Sequence, residues 1–463
     1  MTEILTEKTT KVLFKMTLPI SLGMLSTFLF QVIDTYFIGK LGANNLAALS
    51  FSSTIYFVLV SLYIGLSIGV SIIIGKAVGA GEQEKLYKTV WVSSLLTLLV
   101  SSLLSIVGVI FMDEIFSVLG APGNLLNPIS LYTQPILMGM PLLATAMTAS
   151  GILRASGNIT MPEVIMGIAG VINLVFDYAL IFGKWGLPEL GMQGAAYATV
   201  LSWFFVFVGM GVLLVKDRLF QLSTNARESV QELVKEIVTL GLPTIATQII
   251  GPFTMMFLTY LLAKESAMAV AAFGVSGRIE MLLLIGVLAI STAITPFIAQ
   301  NSGAKLYQRI DEAIVFAGKA SIYLGVLIAI ILYVFIDAFA GIFTEDSQVI
   351  DFTSSYFYIV SLSYVSYAFY LVTTSILNGL QKTGKSLKIT VMKSFLFAVP
   401  LTIAGSYWGV IGIFSGLAIS NVLSGVYAMN VMRQEIKNMK SSLVESNISK
   451  DILSDFTSII KRK

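Results

Sequence analysis

Two acidic side chains lie inside stretches that are otherwise apolar enough to be membrane helices. Asp177 follows Asn173 by four residues in the run 171–183, and Asp34 lies in an earlier apolar run, three residues after Gln31. On an α-helix, a spacing of four residues places Asn173 and Asp177 on one face, one turn apart. An acid at the centre of a bilayer costs about 2.5–3.5 kcal/mol on insertion scales, so these residues are candidates for function.

The chemistry that these residues offer is the binding of a proton or a small hard cation. A carboxylate supplies charge, and an amide carbonyl or a hydroxyl supplies a hard oxygen ligand. Asp34 and Asp177 both lie late in their runs, so they can meet in one half of the membrane and titrate as a pair. Thr199 and Gln31 are weaker candidates for the same site. The structural alternatives are a helix-packing hydrogen bond for Asn173 and Asp177, an interfacial position for Asp34, and a bond from Thr199 to its own helix.

The composition supports a membrane protein. Of the 463 residues, 56% are hydrophobic and 12% are charged, whereas a soluble chain has about 25% charged residues. The apolar runs are long and lack the alternation of a β-barrel, so the spans are helices. The chain has no cysteine, which excludes disulfides, thiol chemistry and cysteine metal sites, and it has no histidine. Proton handling near neutral pH must therefore use carboxylates.

The apolar runs predict an all-α membrane protein with twelve spans. The runs are 16–38, 46–75, 88–111, 128–152, 162–182, 192–215, 239–262, 268–299, 313–336, 349–377, 388–406 and 410–432. With the N-terminus inside, 25 of the 29 lysines and arginines fall in segments on that side. This count places Lys393 with Lys382, Lys385 and Lys388 at the start of the eleventh span. The bias predicts that both termini are cytoplasmic.

The two halves of the chain repeat each other at an offset of 220–224 residues. Leu18-Pro19 recurs as Leu242-Pro243, and Trp185-Gly186 recurs as Trp408-Gly409. Six spans in each half give a parallel repeat, with a pseudo-twofold axis along the membrane normal. We predict an N-lobe at 1–215, a cytoplasmic linker at 216–236, a C-lobe at 237–432 and a basic cytoplasmic tail at 433–463. Asp34 and Asp177 correspond to apolar positions in the second half, so the ion chemistry is predicted in the first lobe.

Other polar residues and prolines within the spans have two interpretations each. Pro19 is either a hinge or a static kink. Arg278 and Glu280 do not face each other on a helix, so each needs another partner, either as a structural pair or as a second polar patch for substrate. The candidates for lining a substrate cavity are Gln31, Tyr36, Tyr132 and Gln134.

Several motifs together resemble the multidrug and toxic compound extrusion (MATE) family. They are the segment 32–42 in the first span, 75–81 after the second, 153–157 after the fourth, and Asn173 with Asp177-Tyr178 in the fifth. The resemblance implies a cation-coupled exporter with alternating access. It also implies that Asp34, Asn173, Asp177 and Thr199 form the coupling site, which binds Na⁺ if the protein is sodium-coupled, and that Pro19 bends the first span. Acids that some relatives carry in the seventh and tenth spans are absent near Gly251 and in 367–374, which favours a branch with an N-lobe site.

The resulting prediction is a secondary antiporter in the plasma membrane that exports amphiphilic, often cationic, compounds in exchange for H⁺ or Na⁺. We expect small-molecule and lipid partners, no cofactor, no nucleic acid, no enzymatic activity and a monomer. The alternative is a flippase for a lipid-linked saccharide or a phospholipid. It ranks second because an anionic headgroup calls for basic residues, and only Arg278 is counted within a span, with Arg154 at a span end. The acid motifs of intramembrane aspartyl proteases are absent.

Overall fold

The computed structural model describes the backbone at residues 3–221 and 229–460 and the side chains up to residue 439. Part of the predicted linker, 222–228, including Arg227, and the tail side chains from residue 440 onward lie outside the described residues. Within the described part, the regular structure is helical, and twelve helices are long and apolar enough to cross a membrane. The predicted all-α fold with twelve spans in two lobes is confirmed.

The helices follow each other with short connections. The first half contains α1 (Glu3–Thr6), α2 (Thr9–Gly39), α3 (Ala43–Ala80), α4 (Gln83–Ile110), α5 (Met112–Val118), α6 (Gly123–Ser156), α7 (Thr160–Phe182) and α8 (Met192–Lys216). The second half contains α9 (Val230–Glu265), α10 (Ala267–Leu283), α11 (Ile285–Gly303), α12 (Tyr307–Phe343), α13 (Ser347–Val360), α14 (Tyr364–Gly379), α15 (Thr383–Val391), α16 (Val399–Ser406) and α17 (Gly409–Ile460). Left-handed glycines follow α3, α6 and α7, where a side chain would be strained: Gly81, Gly157 and Gly183.

Three spans that the sequence predicts as continuous runs are interrupted. The eighth run is divided at Leu284 into α10 and α11, and a 3₁₀ turn at Ser361–Ser363 joins α13 to α14. In the eleventh run, a π-helix at Met392–Ala398 joins α15 to α16. Hydropathy reports only that a run is apolar and cannot detect a local change in hydrogen-bond register.

The start of the eleventh span corrects the position of Lys393. The span begins at Thr383, five residues before the predicted start at Lys388. Lys393 therefore lies ten residues inside the span, in the π-helix, and not at its edge as the count of basic residues assumed. Lys319 lies at a similar depth, twelve residues into α12, but its side chain is exposed, whereas Lys393 is partly buried.

The two lobes meet through close backbone contacts that extend from the middle of α3 to one end of the bundle. We call it the proximal end; it is where α2 begins and where α3 and α11 end. A Cβ built on Gly65 of α3 would lie 2.4 Å from the Ile245 Cα of α9, and one built on Gly79 would lie 1.9 Å from the Gln300 carbonyl oxygen of α11. The Thr244 hydroxyl also donates a hydrogen bond to the Gly65 carbonyl at 2.6 Å. Only glycine permits this approach, as in other closely packed membrane helices.

The N-terminal segment adds polar contacts across the same interface. Arg309 of α12 donates a hydrogen bond from Nη2 to the Ile4 carbonyl at 2.8 Å, and the Thr9 hydroxyl donates to Glu312 Oε2 at 2.6 Å. Both bonds join the start of the chain to the second lobe. The lobes are therefore closed against each other at the proximal end.

We expect Gly65→Ala to open this closed end. The added methyl group overlaps α9 backbone atoms, and overpacking of this kind costs about 1–3 kcal/mol. The chain has no native cysteine, so spin labels at Gln83→Cys and Gln308→Cys, one in each lobe, would report the separation without background. The distance distribution should shift to longer values in the Gly65→Ala protein.

The control for this test is Gly251→Ala, because a Cβ at Gly251 meets no atom within 4 Å. It should leave the distance distribution unchanged. If Gly65→Ala gave the same distribution as Gly251→Ala, the close contact between α3 and α9 would not hold the lobes together.

Candidate functional site

A cavity of about 220 Å³ lies inside the first lobe, between α2, α3, α6, α7 and α8. Its lining contains three of the four predicted coupling residues and two of the four predicted substrate residues: Asp34, Asn173, Thr199, Gln31 and Tyr132. The remaining lining is largely apolar and aromatic. The sequence motifs from three separate spans therefore converge on one cavity.

The two predicted acids have no fixed positive partner among the described residues. Asp34 is half-buried and Asp177 is 1% exposed. The Oδ1 atom of each is buried and accepts no hydrogen bond, and the two carboxyl groups are close enough to interact electrostatically. Among the described residues, no lysine or arginine forms an ion pair with either acid. A charged carboxylate in such a place is costly unless it is paired; a proton or a bound cation would remove that cost.

Asn173 and Thr199 complete the set of oxygen donors. The Asn173 amide nitrogen donates to Thr199 Oγ1 across a long 3.4 Å contact, which leaves the amide carbonyl oxygen with its acceptor capacity. Two carboxylates, one amide oxygen and one hydroxyl are the donors that a hard cation such as Na⁺ prefers. The same carboxylates can instead hold protons.

Glycines bring the three helices of this site together. A Cβ on Gly170 of α7 would lie 2.0 Å from the Phe30 ring of α2, and one on Gly194 of α8 would lie 2.5 Å from the Leu180 carbonyl oxygen of α7. These contacts set α7 directly against both neighbours, so that Asn173 and Asp177 lie beside α2 and α8. The position of the acids thus depends on small residues elsewhere on the helices.

The other predicted site residues have different positions. Gln134 and Tyr36 do not line this cavity; both are exposed, and the Lys40 ammonium lies 4.9 Å from the Tyr36 ring centroid. Pro19 lies inside α2, nearer the proximal end than Asp34. The sequence interpretation missed three aromatic residues of the cavity, Phe30, Tyr56 and Trp203. The rings of Tyr56 and Trp203 stack with centroids 6.1 Å apart. No sequence pattern distinguishes them from other aromatic residues in the spans.

The second lobe contains a separate polar cluster. Glu280 accepts a hydrogen bond from the Tyr356 hydroxyl at 2.9 Å. Arg278 is exposed and forms no ion pair within the described residues. Of the interhelical partners that the structural alternative requires, the structure shows one for Glu280, the Tyr356 hydroxyl. The Lys393 ammonium lies 4.4 Å from the Tyr367 ring centroid and 4.7 Å from that of Tyr370.

The MatE family model matches the chain twice, at residues 19–179 and at 243–404. The chain belongs to the MatE family. The second match begins 224 residues after the first, which confirms the internal repeat. This MatE protein is therefore a multi-pass transporter of the plasma membrane.

Named relatives and solved structures cover nearly the whole MatE chain. It is 32% identical to a FAD transporter of Shewanella oneidensis, over 94% of this chain and 97% of the relative. It is 28% identical to a probable multidrug resistance protein, NorM, of Thermotoga maritima, over 81% of each. The MATE transporter VcmN of Vibrio cholerae, in its bent form, superposes with a TM-score of 0.87 at 27% identity and covers 93% of this chain and 98% of its own.

We expect Gly170→Ala to weaken the binding of a bulky compound in the first-lobe cavity. The added methyl group displaces the Phe30 ring, which lines the cavity, so the cavity changes shape. A cost of about 1 kcal/mol corresponds to a dissociation constant about fivefold higher. Ethidium fluorescence titration of the purified protein measures this change.

The matched control is Gly167→Ala, one turn earlier on the same helix, where a Cβ meets nothing within 4 Å. It should bind ethidium as the unmodified protein does. Equal affinities for the two variants would mean that the contact between α2 and α7 does not shape the cavity.

Proposed function

We propose that this protein is a secondary antiporter that exports amphiphilic, often cationic, organic compounds in exchange for H⁺ or Na⁺. The observation that carries the proposal is the pair Asp34 and Asp177, two carboxyl groups without a counter-charge beside a largely apolar cavity. The multidrug-resistance names of relatives such as NorM agree with it.

In this mechanism the exported cation and the driving ion compete for the same negative charge. An organic cation is attracted by the carboxylates, while its apolar part contacts the aromatic residues of the cavity. A proton or Na⁺ arriving from outside neutralises Asp34 and Asp177, and Asn173 and Thr199 supply further oxygens for Na⁺. Once neutralised, the site has lost its attraction for the organic cation, which is released.

The closed proximal end supports a proposal about which side of the membrane this conformation faces. If both termini are cytoplasmic, as the distribution of basic residues favours, the lobes are closed on the cytoplasmic side and the cavity serves the outward-facing state. We propose that bending of α2 at Pro19, which lacks a backbone N–H, links occupation of the acids to opening of this end. We place the lobes at 1–215 and 237–432, with 216–236 as a cytoplasmic linker and 433–463 as a cytoplasmic tail.

The test is efflux of ethidium from proteoliposomes under an imposed Na⁺ gradient and, separately, an imposed pH gradient. One of these gradients should drive export, which identifies the coupling ion. Asp34→Asn and Asp177→Asn should each reduce gradient-driven export to the level of empty vesicles, because each removes a charge that the driving ion must neutralise.

The control is Asp351→Asn, an exposed acid at the start of α13, which should export normally. Full gradient-driven export by both Asp34→Asn and Asp177→Asn would disprove the mechanism.

A second candidate substrate is flavin adenine dinucleotide. The relative from Shewanella oneidensis is named for it at 32% identity over nearly the full chain, and Lys393 provides a positive charge inside the second lobe. Lys393 also weakens the argument against a lipid flippase, which relied on a lack of basic residues within the spans. Movement of labelled lipid between leaflets in the same vesicles tests that alternative.

We expect export of the dinucleotide, if it occurs, to depend on the same gradient as export of ethidium. Vesicles that contain both compounds allow the two rates to be measured together by their separate fluorescence. Retention of the dinucleotide during complete ethidium export would eliminate it as a substrate and leave the antiport mechanism intact.

A further inference from the structure

The second-lobe cluster lies where the internal repeat places a counterpart of the first-lobe cavity. The two family matches begin 224 residues apart. At that offset, four residues of the cluster correspond to residues that line the first-lobe cavity: Glu280 to Tyr56, Tyr356 to Tyr132, Tyr367 to Leu143 and Lys393 to Ala169. The cluster therefore occupies the pseudo-symmetric cavity position, with different polar groups.

Lys393 is held by aromatic faces and not by an acid. Its ammonium lies over Tyr367 and Tyr370, whose rings stack with centroids 5.9 Å apart and an interplanar angle of 11°. Tyr370 is in turn fixed by a 3.0 Å hydrogen bond between its hydroxyl and that of Thr390. Each desolvated cation–π contact contributes up to about 2 kcal/mol, so two contacts offset the insertion cost of about 2.5–3.5 kcal/mol for a lysine.

The N–H groups of the Lys393 ammonium have no hydrogen-bond acceptor among the described residues. Among the described residues, Lys393 Nζ forms no hydrogen bond and no ion pair within 4.0 Å. Glu280 is near enough to act on it electrostatically, but its carboxylate is bonded to Tyr356. Lys393 as a whole is only partly buried.

Two further observations point to a binding site. The Tyr364 hydroxyl, in a side chain that is 0% exposed, has no hydrogen-bond partner, and it lies within electrostatic range of Glu280. Lys393 itself lies in the π-helix Met392–Ala398, and such segments occur frequently at functional sites. Pro400, which lies two residues after this segment, has no backbone N–H to donate and accounts for part of the changed helical register, so the unpartnered Tyr364 hydroxyl is the stronger of the two observations.

We propose that Lys393 and the Tyr367–Tyr370 pair form a second substrate site, which binds the anionic group of a planar aromatic compound. The ammonium donates to a phosphate or carboxylate of the ligand, and the partly exposed Tyr367 ring contacts its aromatic part. This proposal depends on the proposed function in one respect: the ligand is taken to be a compound that the protein exports.

The test compares two probes that share one ring system. Flavin mononucleotide carries a phosphate, and riboflavin has the same ring and ribityl chain without it. Binding of each to the purified full-length protein, with no ion gradient, is measured by quenching of flavin fluorescence. The unmodified protein should bind flavin mononucleotide about tenfold more tightly than riboflavin, which is the effect of one charge-assisted contact of about 1.4 kcal/mol.

The variants assign this preference to one side chain. Lys393→Met should lose the preference and keep riboflavin binding, whereas Lys393→Arg, which retains the charge, should keep the preference. The control is Lys264→Met: Lys264 also lies over a tyrosine, 4.4 Å from the Tyr260 centroid, but it is exposed at the end of α9. It should behave as the unmodified protein.

Two outcomes would overturn the proposal: an unmodified protein that does not prefer the phosphate, or a Lys393→Met protein that binds both probes equally less well. If Lys393→Met does not fold, raising the salt concentration provides the second measurement, because it should reduce binding of flavin mononucleotide but not of riboflavin. An Asp34→Asn protein that loses gradient-driven export yet keeps the phosphate preference would support this site, since binding is measured without the gradient. The antiport mechanism is tested only by gradient-driven export, so a failure of one proposal can be told apart from a failure of the other.

Discussion

The absence of a fixed counter-charge beside Asp34 and Asp177 is the constraint on which the first lobe depends. A lysine at this site would neutralise the two carboxylates permanently. No transported ion would then be needed to balance their charge. The protein instead surrounds them with an amide, a hydroxyl and a small cavity. In the proposed mechanism, the cost of burying the two acids is offset when a proton or a cation enters.

The helix α2 joins this site to the contact between the lobes. Asp34 lies toward one end of the helix, and at the other end the Thr9 hydroxyl bonds Glu312 of the second lobe. The glycine contacts of α3 with α9 and α11 close the same end through backbone atoms, which have no flexible side chain that could absorb a small displacement. Closely packed interfaces of this kind have discrete arrangements. In the proposed mechanism, a change in α2 would therefore affect both the acids and the proximal contact.

The sequence predicted the residues whose chemistry conflicts with their surroundings. Asp34, Asn173 and Asp177 were identified because polar groups are expensive in an apolar run, and the structure brings Asp34, Asn173 and Thr199 to one cavity. Lys393 was missed because the eleventh span begins near three other lysines; the apolar residues between Lys388 and Lys393 were the available signal. The close approaches at Gly65 and Gly170 were not predictable, since nothing in one chain tells which glycine will face another helix.

The polar clusters of the two lobes differ in charge, with two carboxyl groups in the first lobe and Lys393 beside Glu280 in the second. This difference limits how the export of an anion could be coupled to the driving ion. In the mechanism proposed for the first lobe, an organic cation and the driving ion compete directly for the carboxylates, so exchange would follow from charge alone. An anion held at Lys393 would not compete with that ion. Filling the first site would even reduce the repulsion that an anion meets, which by itself favours joint binding and not exchange. For an anion, exchange must therefore arise from the closure of the lobes, through different affinities of the open and closed states.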